Sequence, residues 1–151
     1  MNDHSLDAAL DFAIAREREA ADFYRRLAAQ TTNPSVRKTL ETFAEVERGH
    51  ETKLTNAKNG MQTLAGEGSP LPELKLNDYL SEVEPSPEMS FQDALIVAMK
   101  RERAARDLYA DLAERAPDET LRALFAQLSR EEAGHESTFE DIYERHFLSE
   151  N

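Results

Sequence analysis

The 151-residue chain contains no cysteine and no tryptophan, and it has only five glycines and six prolines. Without cysteine it can hold no disulfide, thiolate nucleophile, iron–sulfur cluster or cysteine-ligated zinc or iron centre. So few glycines and prolines are atypical of a strand-rich fold with many tight turns. No apolar run reaches the ~18 residues of a membrane-spanning helix, and the N-terminal residues lack the basic-then-apolar order of a signal peptide. We therefore expect a soluble, cytoplasmic protein.

Positive charge is also scarce, since the chain has 18 basic and 30 acidic residues and a formal net charge of -12. A surface this acidic repels phosphate groups, so neither nucleic acid nor an anionic membrane is an expected partner. It attracts cations instead, which leaves metal chemistry on glutamate, aspartate and histidine open. The length is that of one ordinary domain of ~100–200 residues, and we expect residues 1–151 to form a single domain.

Most prolines and glycines lie between residues 60 and 87, and both flanks show a 3.6-residue apolar period. Helices are predicted over 6–30, from Pro34 to about Gly60, over 91–115, and from Asp118 to about residue 147, with Asn33, Ser90 and Asp118 as N-caps. The connection between the second and third helices is compatible with a short helix around residues 74–83. These elements predict an all-α fold, a four-helix bundle with one long crossover between the second and third helices.

The two halves of the chain repeat each other. Shifting residues 10–54 by 85 positions aligns them with residues 95–139 without a gap, and 15 of the 45 pairs are identical. Unrelated segments of average composition would share roughly 6–8%. Duplication of a helical hairpin for packing alone explains the repeated leucine and alanine. It does not explain why glutamate, histidine and glycine recur at the same positions.

Six of the repeated residues are candidate metal ligands: Glu17, Glu47, His50, Glu102, Glu132 and His135. Glu17 and Glu102 interrupt apolar helix stripes, and each Glu-x-x-His pair follows its stripe glutamate by 30 residues and presents both side chains on one face. Four carboxylates facing one core cannot all stay ionised without cations, and two divalent ions would neutralise them. Ferritin-like di-iron and di-manganese proteins use this arrangement. Mixed carboxylate and imidazole ligation suits iron or manganese, with zinc possible; the alternative is buried hydrogen bonding without metal.

Other residues beside this set have both a functional and an ordinary interpretation. Tyr24 and Tyr109 lie two turns from the stripe glutamates and are candidates to donate hydrogen bonds to metal-bound carboxylates, or else core tyrosines. Glu131 is a candidate partner for a ligand histidine, although its counterpart in the first half is Val46.

The remaining repeated or polar positions carry weaker signals. Gly49 and Gly134 indicate either close helix approach, room beside the metals, or plain packing. The four arginines that flank the stripe glutamates are expected on solvated faces: Arg16, Arg18, Arg101 and Arg103. His4 and His146 lie near the chain ends, where we expect them to be solvated.

Segments 17–24 and 102–109 resemble the first and third bundle helices of the rubrerythrin branch of the ferritin-like superfamily, and segments 47–50 and 132–135 resemble the second and fourth. The resemblance covers roughly residues 8–143 and implies two iron ions held by the six residues named above. It departs from full-length rubrerythrins in two ways. The chain has no cysteine for a rubredoxin centre, and Ala105 stands where rubrerythrins place an additional glutamate. The six-residue set is closer to the symmetric pattern of bacterioferritin centres.

The resemblance implies a redox protein that reduces hydrogen peroxide or dioxygen with electrons from an external donor, rubredoxin-like or other. The alternative is a ferroxidase that oxidises ferrous iron and transfers or stores it, which would need a shell of subunits or a partner as an iron sink. Quinone hydroxylation is a third possibility, but it predicts an apolar membrane-facing surface. We expect a homodimer or a larger homo-oligomer.

Overall fold

A computed structural model describes residues 5–64, 75–80, 85–86 and 88–148, with the backbone alone for residues 61–64. The four main helices are α1 (Leu6–Gln30), α2 (Pro34–Leu64), α3 (Phe91–Arg115) and α4 (Glu119–Tyr143). A 3₁₀ turn spans Leu76–Tyr79, and a π-helical turn over Glu144–Leu148 continues α4. Within these described ranges, no helix is long and apolar enough to cross a membrane.

The helices begin where the sequence supplies a capping side chain. Ser5 accepts a hydrogen bond from the Ala8 backbone N–H at 3.0 Å, and Asn33 accepts one from Ser35 at 2.9 Å. The corresponding caps of α3 and α4 are Ser90 and Asp118, which accept from the backbone N–H three residues later at 3.1 and 2.9 Å. Each cap satisfies a backbone donor that has no partner within the first helical turn. The predicted starts of all four helices are therefore confirmed.

Three predicted features of the helices differ from the structure. Helix α2 does not stop at Gly60 but continues to Leu64, because one interior glycine costs a helix only about 1 kcal/mol and no proline follows before Pro70. In the crossover, the predicted short helix is a single 3₁₀ turn, Leu76–Tyr79, and residues 74 and 81–83 lie outside the described residues. Regular α-helix in α4 ends at Tyr143, four residues earlier than expected, and gives way to the π turn.

Each half of the chain forms an antiparallel hairpin, α1 with α2 and α3 with α4, and the hairpins pack face to face. The start of α1 lies in the same apolar cluster as the end of α3, so these two helices also run antiparallel. This first cluster includes Leu6, Leu10, Leu54, Leu112, Phe125 and Leu128. A second cluster at the other end includes Tyr24, Leu27, Leu40, Leu95, Phe139 and Ile142. The six candidate ligands occupy the layer between the two clusters.

The repeated glycines do not mark a close approach of helices. Gly49 and Gly134 are exposed, and a Cβ built on either would meet no atom within 4 Å among the described residues. Neither close packing nor room beside the site therefore requires glycine there, which corrects the functional interpretation of the pair. Both glycines remain in helix interiors, where their extra backbone freedom in the unfolded chain lowers stability.

We predict that Gly49→Ala and Gly134→Ala each raise the free energy of unfolding by about 0.5–1 kcal/mol, because alanine removes backbone entropy from the unfolded state without a clash. Denaturant titration of the metal-free protein measures this change. A loss of stability, or a fall in bound metal, would show that the glycines serve the site after all.

Candidate metal centre

The six predicted residues meet in one buried layer at the middle of the bundle. Glu17 and Glu102 come from α1 and α3, and the two Glu-x-x-His pairs come from α2 and α4. Their exposed fractions run from 1% to 7%, with His135 the most exposed. Glutamate is almost never this buried unless it is paired or binds a cation. The structure thus brings together all six candidate ligands.

Their donor atoms form two overlapping sets, and within each set all atoms lie within 4.8 Å of one another. One set comprises Glu17, Glu47, His50 and Glu132, and the other comprises Glu47, Glu102, Glu132 and His135. Glu47 and Glu132 belong to both sets. A stripe glutamate and a histidine complete each set. This arrangement is a candidate dinuclear metal centre.

Both histidines turn the same ring nitrogen toward the carboxylates. His50 Nδ1 lies 3.1 Å from a Glu47 oxygen and 3.3 Å from a Glu17 oxygen. His135 Nδ1 lies 3.4 Å from a Glu102 oxygen and 3.5 Å from a Glu132 oxygen. The Nδ1 atoms are thus the ring atoms placed to bind a metal.

The two tyrosines reach across the bundle to the opposite hairpin. The Tyr24 hydroxyl donates to Glu102 Oε2, and the Tyr109 hydroxyl donates to Glu17 Oε2. Burial and then the neighbouring glutamate charge raise the pKa of each tyrosine well above its usual value. Both hydroxyls therefore stay protonated and fix one oxygen of each stripe carboxylate. The predicted contact with site carboxylates is present, with its partner in the other half of the repeat.

The surroundings of the two histidines differ. His50 Nε2 lies 2.7 Å from Glu131 Oε1, so an N–H at Nε2 donates to this carboxylate. Gln127 holds the other Glu131 oxygen by donating at 2.8 Å. The ring of His135 instead stacks on Phe43, with ring centroids 3.9 Å apart. The suggested Glu131 contact is thus confirmed on one side, and Phe43 is a neighbour that the sequence did not reveal.

Burial and mutual repulsion shape the titration of the centre. Burial and then repulsion from Glu132 raise the pKa of Glu47 well above its usual range, and burial and then Glu102 raise the pKa of Glu132. Burial alone would lower the pKa of His135, but attraction to the nearby carboxylates of Glu102 and Glu132 outweighs it and raises this pKa to about 9. The same balance raises the pKa of His50 further. Without a cation, the centre holds protons instead.

The donor atoms suit a metal better than a closed hydrogen-bond network. Among the described residues, one oxygen of every site glutamate is buried and accepts no well-aligned hydrogen bond, and His135 Nδ1 is likewise unsatisfied. Buried polar atoms without partners are rare and costly in proteins. Divalent cations would satisfy these atoms and neutralise the four carboxylates together. The residues present therefore fit a metal pair.

The four flanking arginines separate into two types. Arg18 and Arg103 are well exposed, at 61% and 58%, as predicted, and they pair with Glu51 and Glu136 of the following helix. The expectation was wrong for Arg16 and Arg101, whose side chains are only 28% and 9% exposed. Both precede a stripe glutamate and contact Glu19 between α1 and α3, whereas Arg18 and Arg103 follow it and lie toward the next helix. His146 is exposed as expected, whereas His4 lies outside the described residues.

Comparison with known proteins agrees with this geometry. The rubrerythrin family model matches residues 2–63 and 93–151, which include both hairpins and all six site residues. The chain belongs to the rubrerythrin family. No rubredoxin centre accompanies the site within this chain, which has no cysteine. No protein of curated function matches the sequence.

Two solved structures share the fold of this rubrerythrin-family chain. A hypothetical protein of Pyrococcus furiosus is 28% identical, with a TM-score of 0.74 over 94% of this chain and 90% of its own. A Thermotoga maritima protein, provisionally described as a ferritin-like diiron-carboxylate protein, is 20% identical, with a TM-score of 0.78 over 92% of this chain and 94% of its own. The fold is a ferritin-like four-helix bundle, as predicted.

We predict that the metal-free protein loses stability as the pH rises. The pKa of His135 rises to about 9 in the folded chain from an ordinary 6.5, and the pKa values of Glu47 and Glu132 rise from 4.5. The folded state thus binds more protons than the unfolded state, and this stabilisation is complete below the ordinary pKa values and disappears as the pH passes the raised ones. Denaturant titrations between about pH 6 and pH 9 should show the decline.

The double variant Glu47→Gln, Glu132→Gln is the comparison for this pH series, because it removes two of the raised carboxyl groups and should flatten the decline. A metal-free protein whose stability rose across the same range would contradict the proton-holding description of the centre.

Proposed function

We propose that the centre binds two iron ions and reduces hydrogen peroxide, or dioxygen, with electrons from an external donor. The observation that carries this proposal is the pair of overlapping donor sets, which share Glu47 and Glu132 and contain buried oxygens without partners. Glu47 and Glu132 would contribute to the binding of both ions, because each belongs to both donor sets. Glu17 with His50, and Glu102 with His135, would each hold one ion. Manganese or zinc would also fit the donor types.

The proposed chemistry divides between the metal and the chain. Two ferrous ions bound here would supply the two electrons that, with two protons from solvent, convert hydrogen peroxide to two waters, and the external donor would then reduce the iron again. The chain would hold the four carboxylates in place, with Tyr24 and Tyr109 each fixing one oxygen of a stripe glutamate. Glu131 would keep the proton of His50 on Nε2, away from the ligand nitrogen. The apolar clusters on both sides would limit bulk water at the centre.

This assignment predicts that Glu47→Gln, Glu132→Gln abolishes binding of both ions, because each glutamate belongs to both donor sets. Anaerobic iron titration followed by metal analysis should give about two ions per chain for the parent protein and near zero for the variant. The matched control is Glu45→Gln, Glu140→Gln, which removes the same charge from the exposed faces of the same two helices. If the Glu47→Gln, Glu132→Gln variant still bound two ions, the ligand assignment would be wrong.

Single replacements give a finer test of the same assignment. Glu17→Gln removes a ligand that belongs to one donor set alone, so we expect it to weaken the binding of one ion and to leave the other ion bound. Titration with cobalt(II), whose absorption reports its coordination, would resolve the two binding steps. Loss of both ions at once would contradict the assignment of Glu17 to a single ion.

Stopped-flow oxidation distinguishes the proposed reductase from a ferroxidase. Protein loaded with two ferrous ions per chain is mixed with hydrogen peroxide or with dioxygen, and we expect peroxide to oxidise it at least ~10-fold faster. Comparable or faster oxidation by dioxygen, together with a particle large enough to form a shell, would favour iron oxidation and storage. The proposed reductase is expected to be a homodimer or a small oligomer, which size-exclusion chromatography with light scattering would determine.

A further inference from the structure

The two donor sets of the candidate metal centre are equivalent in their ligands. Each set contains one stripe glutamate, one histidine and the same two shared glutamates. In each set a tyrosine hydroxyl from the opposite hairpin donates to the stripe glutamate. The ligands and the tyrosines therefore give no reason for two ions bound here to differ in affinity. The repeat breaks down instead at the Nε2 edges of the two imidazole rings.

A carboxylate and an amide of α4 hold the Nε2 edge of His50. Glu131 Oε1 lies 2.7 Å from His50 Nε2, and Gln127 Nε2 donates to the other oxygen of Glu131 at 2.8 Å. The His50 side chain is buried, whereas that of Glu131 is partly exposed. Both oxygens of Glu131 are engaged, which restrains the carboxylate in the position where it accepts from the ring.

The matching positions of the first hairpin do not provide such a pair. The 85-residue shift places Val46 and Thr42 where the second hairpin has the glutamate and the glutamine. The close contacts of His135 with described carboxylates all involve Nδ1. Its ring stacks on Phe43, with an angle of 21° between the ring planes. His135 thus has an aromatic neighbour in place of a carboxylate that accepts from Nε2.

The contact with Glu131 favours metal binding by His50 for two reasons. An imidazole that binds a cation through Nδ1 carries its proton on Nε2, and a carboxylate that accepts this proton orients the ring and makes Nδ1 a stronger donor to the metal. The carboxylate also places a negative charge close to the ion. Loss of such a partner typically lowers metal affinity by ~10–100-fold. A stacked phenyl ring provides neither an acceptor nor a charge.

We propose that Glu131 makes the two positions of the metal pair unequal, so that the ion held with His50 binds first and more tightly than the ion held with His135. This inference rests on the proposed metal centre and adds to it an order of filling. Glu131 belongs to neither donor set, so it acts through His50 as a positioning residue. The proposed two-electron reaction needs both ions, and the weaker position would therefore determine how much metal activates the protein.

Cobalt(II) titration of the metal-free protein measures the two binding steps. Glu131→Val introduces the residue that the first half of the repeat carries at the equivalent position. We expect the first step to weaken by at least ~10-fold and the second step to stay within about 3-fold. The matched control is Glu140→Val, which removes a well-exposed glutamate from the same helix and should leave both steps within about 2-fold.

Two single-ligand backgrounds identify the ion that Glu131 serves. Glu102→Gln weakens the set that contains His135, and in this background Glu131→Val should lower the affinity of the remaining tight ion by at least ~10-fold. Glu17→Gln weakens the set that contains His50, and there Glu131→Val should change the affinity of the remaining ion by less than about 3-fold. Equal weakening in the two backgrounds would indicate a general effect on charge or folding and would overturn the proposal.

Proton NMR of the cobalt-loaded protein gives a readout that a purely structural role would not change. The Nε2 proton of a cobalt-bound histidine has a shifted resonance and exchanges with water. At one equivalent of cobalt we expect one such resonance in the parent protein, with slow exchange because Glu131 accepts this proton. Glu131→Val should remove that protection. Two resonances of equal intensity at one equivalent would show equal filling and contradict the proposal.

The binding measurements also separate this inference from the proposed function. If the parent protein bound two ions and Glu131→Val kept both binding constants, the order of filling would be wrong while the metal centre remained. If the parent protein bound neither cobalt nor iron, the proposed function itself would have failed, and the inference with it.

Discussion

The fold depends on one electrostatic constraint, the burial of four glutamates in a single layer of an apolar bundle. Removing a carboxylate from water costs several kcal/mol even after relaxation, and like charges a few ångströms apart add to this cost. Two imidazoles and two tyrosine hydroxyls offset part of this cost, and the raised pKa values of Glu47 and Glu132 favour their uncharged forms. One oxygen of each glutamate nevertheless has no hydrogen-bond partner among the described residues. Metal ions are the remaining source of compensation. Burial of the carboxylates lowers the free energy of unfolding, so the apolar clusters above and below the layer must offset this loss.

Duplication of the hairpin explains how the layer is assembled. Two copies packed antiparallel place their stripe glutamates and their Glu-x-x-His pairs at the same height. The tyrosines then cross between copies, since Tyr24 and Tyr109 each hold the stripe glutamate of the other hairpin. Neither hairpin alone can complete a donor set, because each set includes one glutamate, Glu132 or Glu47, from the other hairpin. The centre is therefore a property of the pair of hairpins.

The departures from symmetry give the two sides of the centre different chemistry. Glu131 orients His50 by a hydrogen bond, whereas Phe43 covers His135 by stacking, so the two proposed ions would have different surroundings. The bundle is also unequal between its faces. Arg16 and Arg101 line a cleft between α1 and α3, whereas the half-buried Glu131 lies beside His50 on the other face.

The sequence by itself determined the four helices, three of their N-caps and the six residues of the layer. Apolar periodicity and capping chemistry are local properties, and the ungapped repeat is read by comparing two segments of the chain, so none of them requires the tertiary structure. It did not determine which groups the layer would contact. The stacking of Phe43 on His135 and the burial of Arg101 depend on rotations of packed helices, which no spacing along the chain encodes. Only the tertiary structure decided that Glu47 and Glu132 belong to both donor sets and that the cleft opens between α1 and α3. Both follow from how two hairpins meet, and their contacts join residues far apart in sequence.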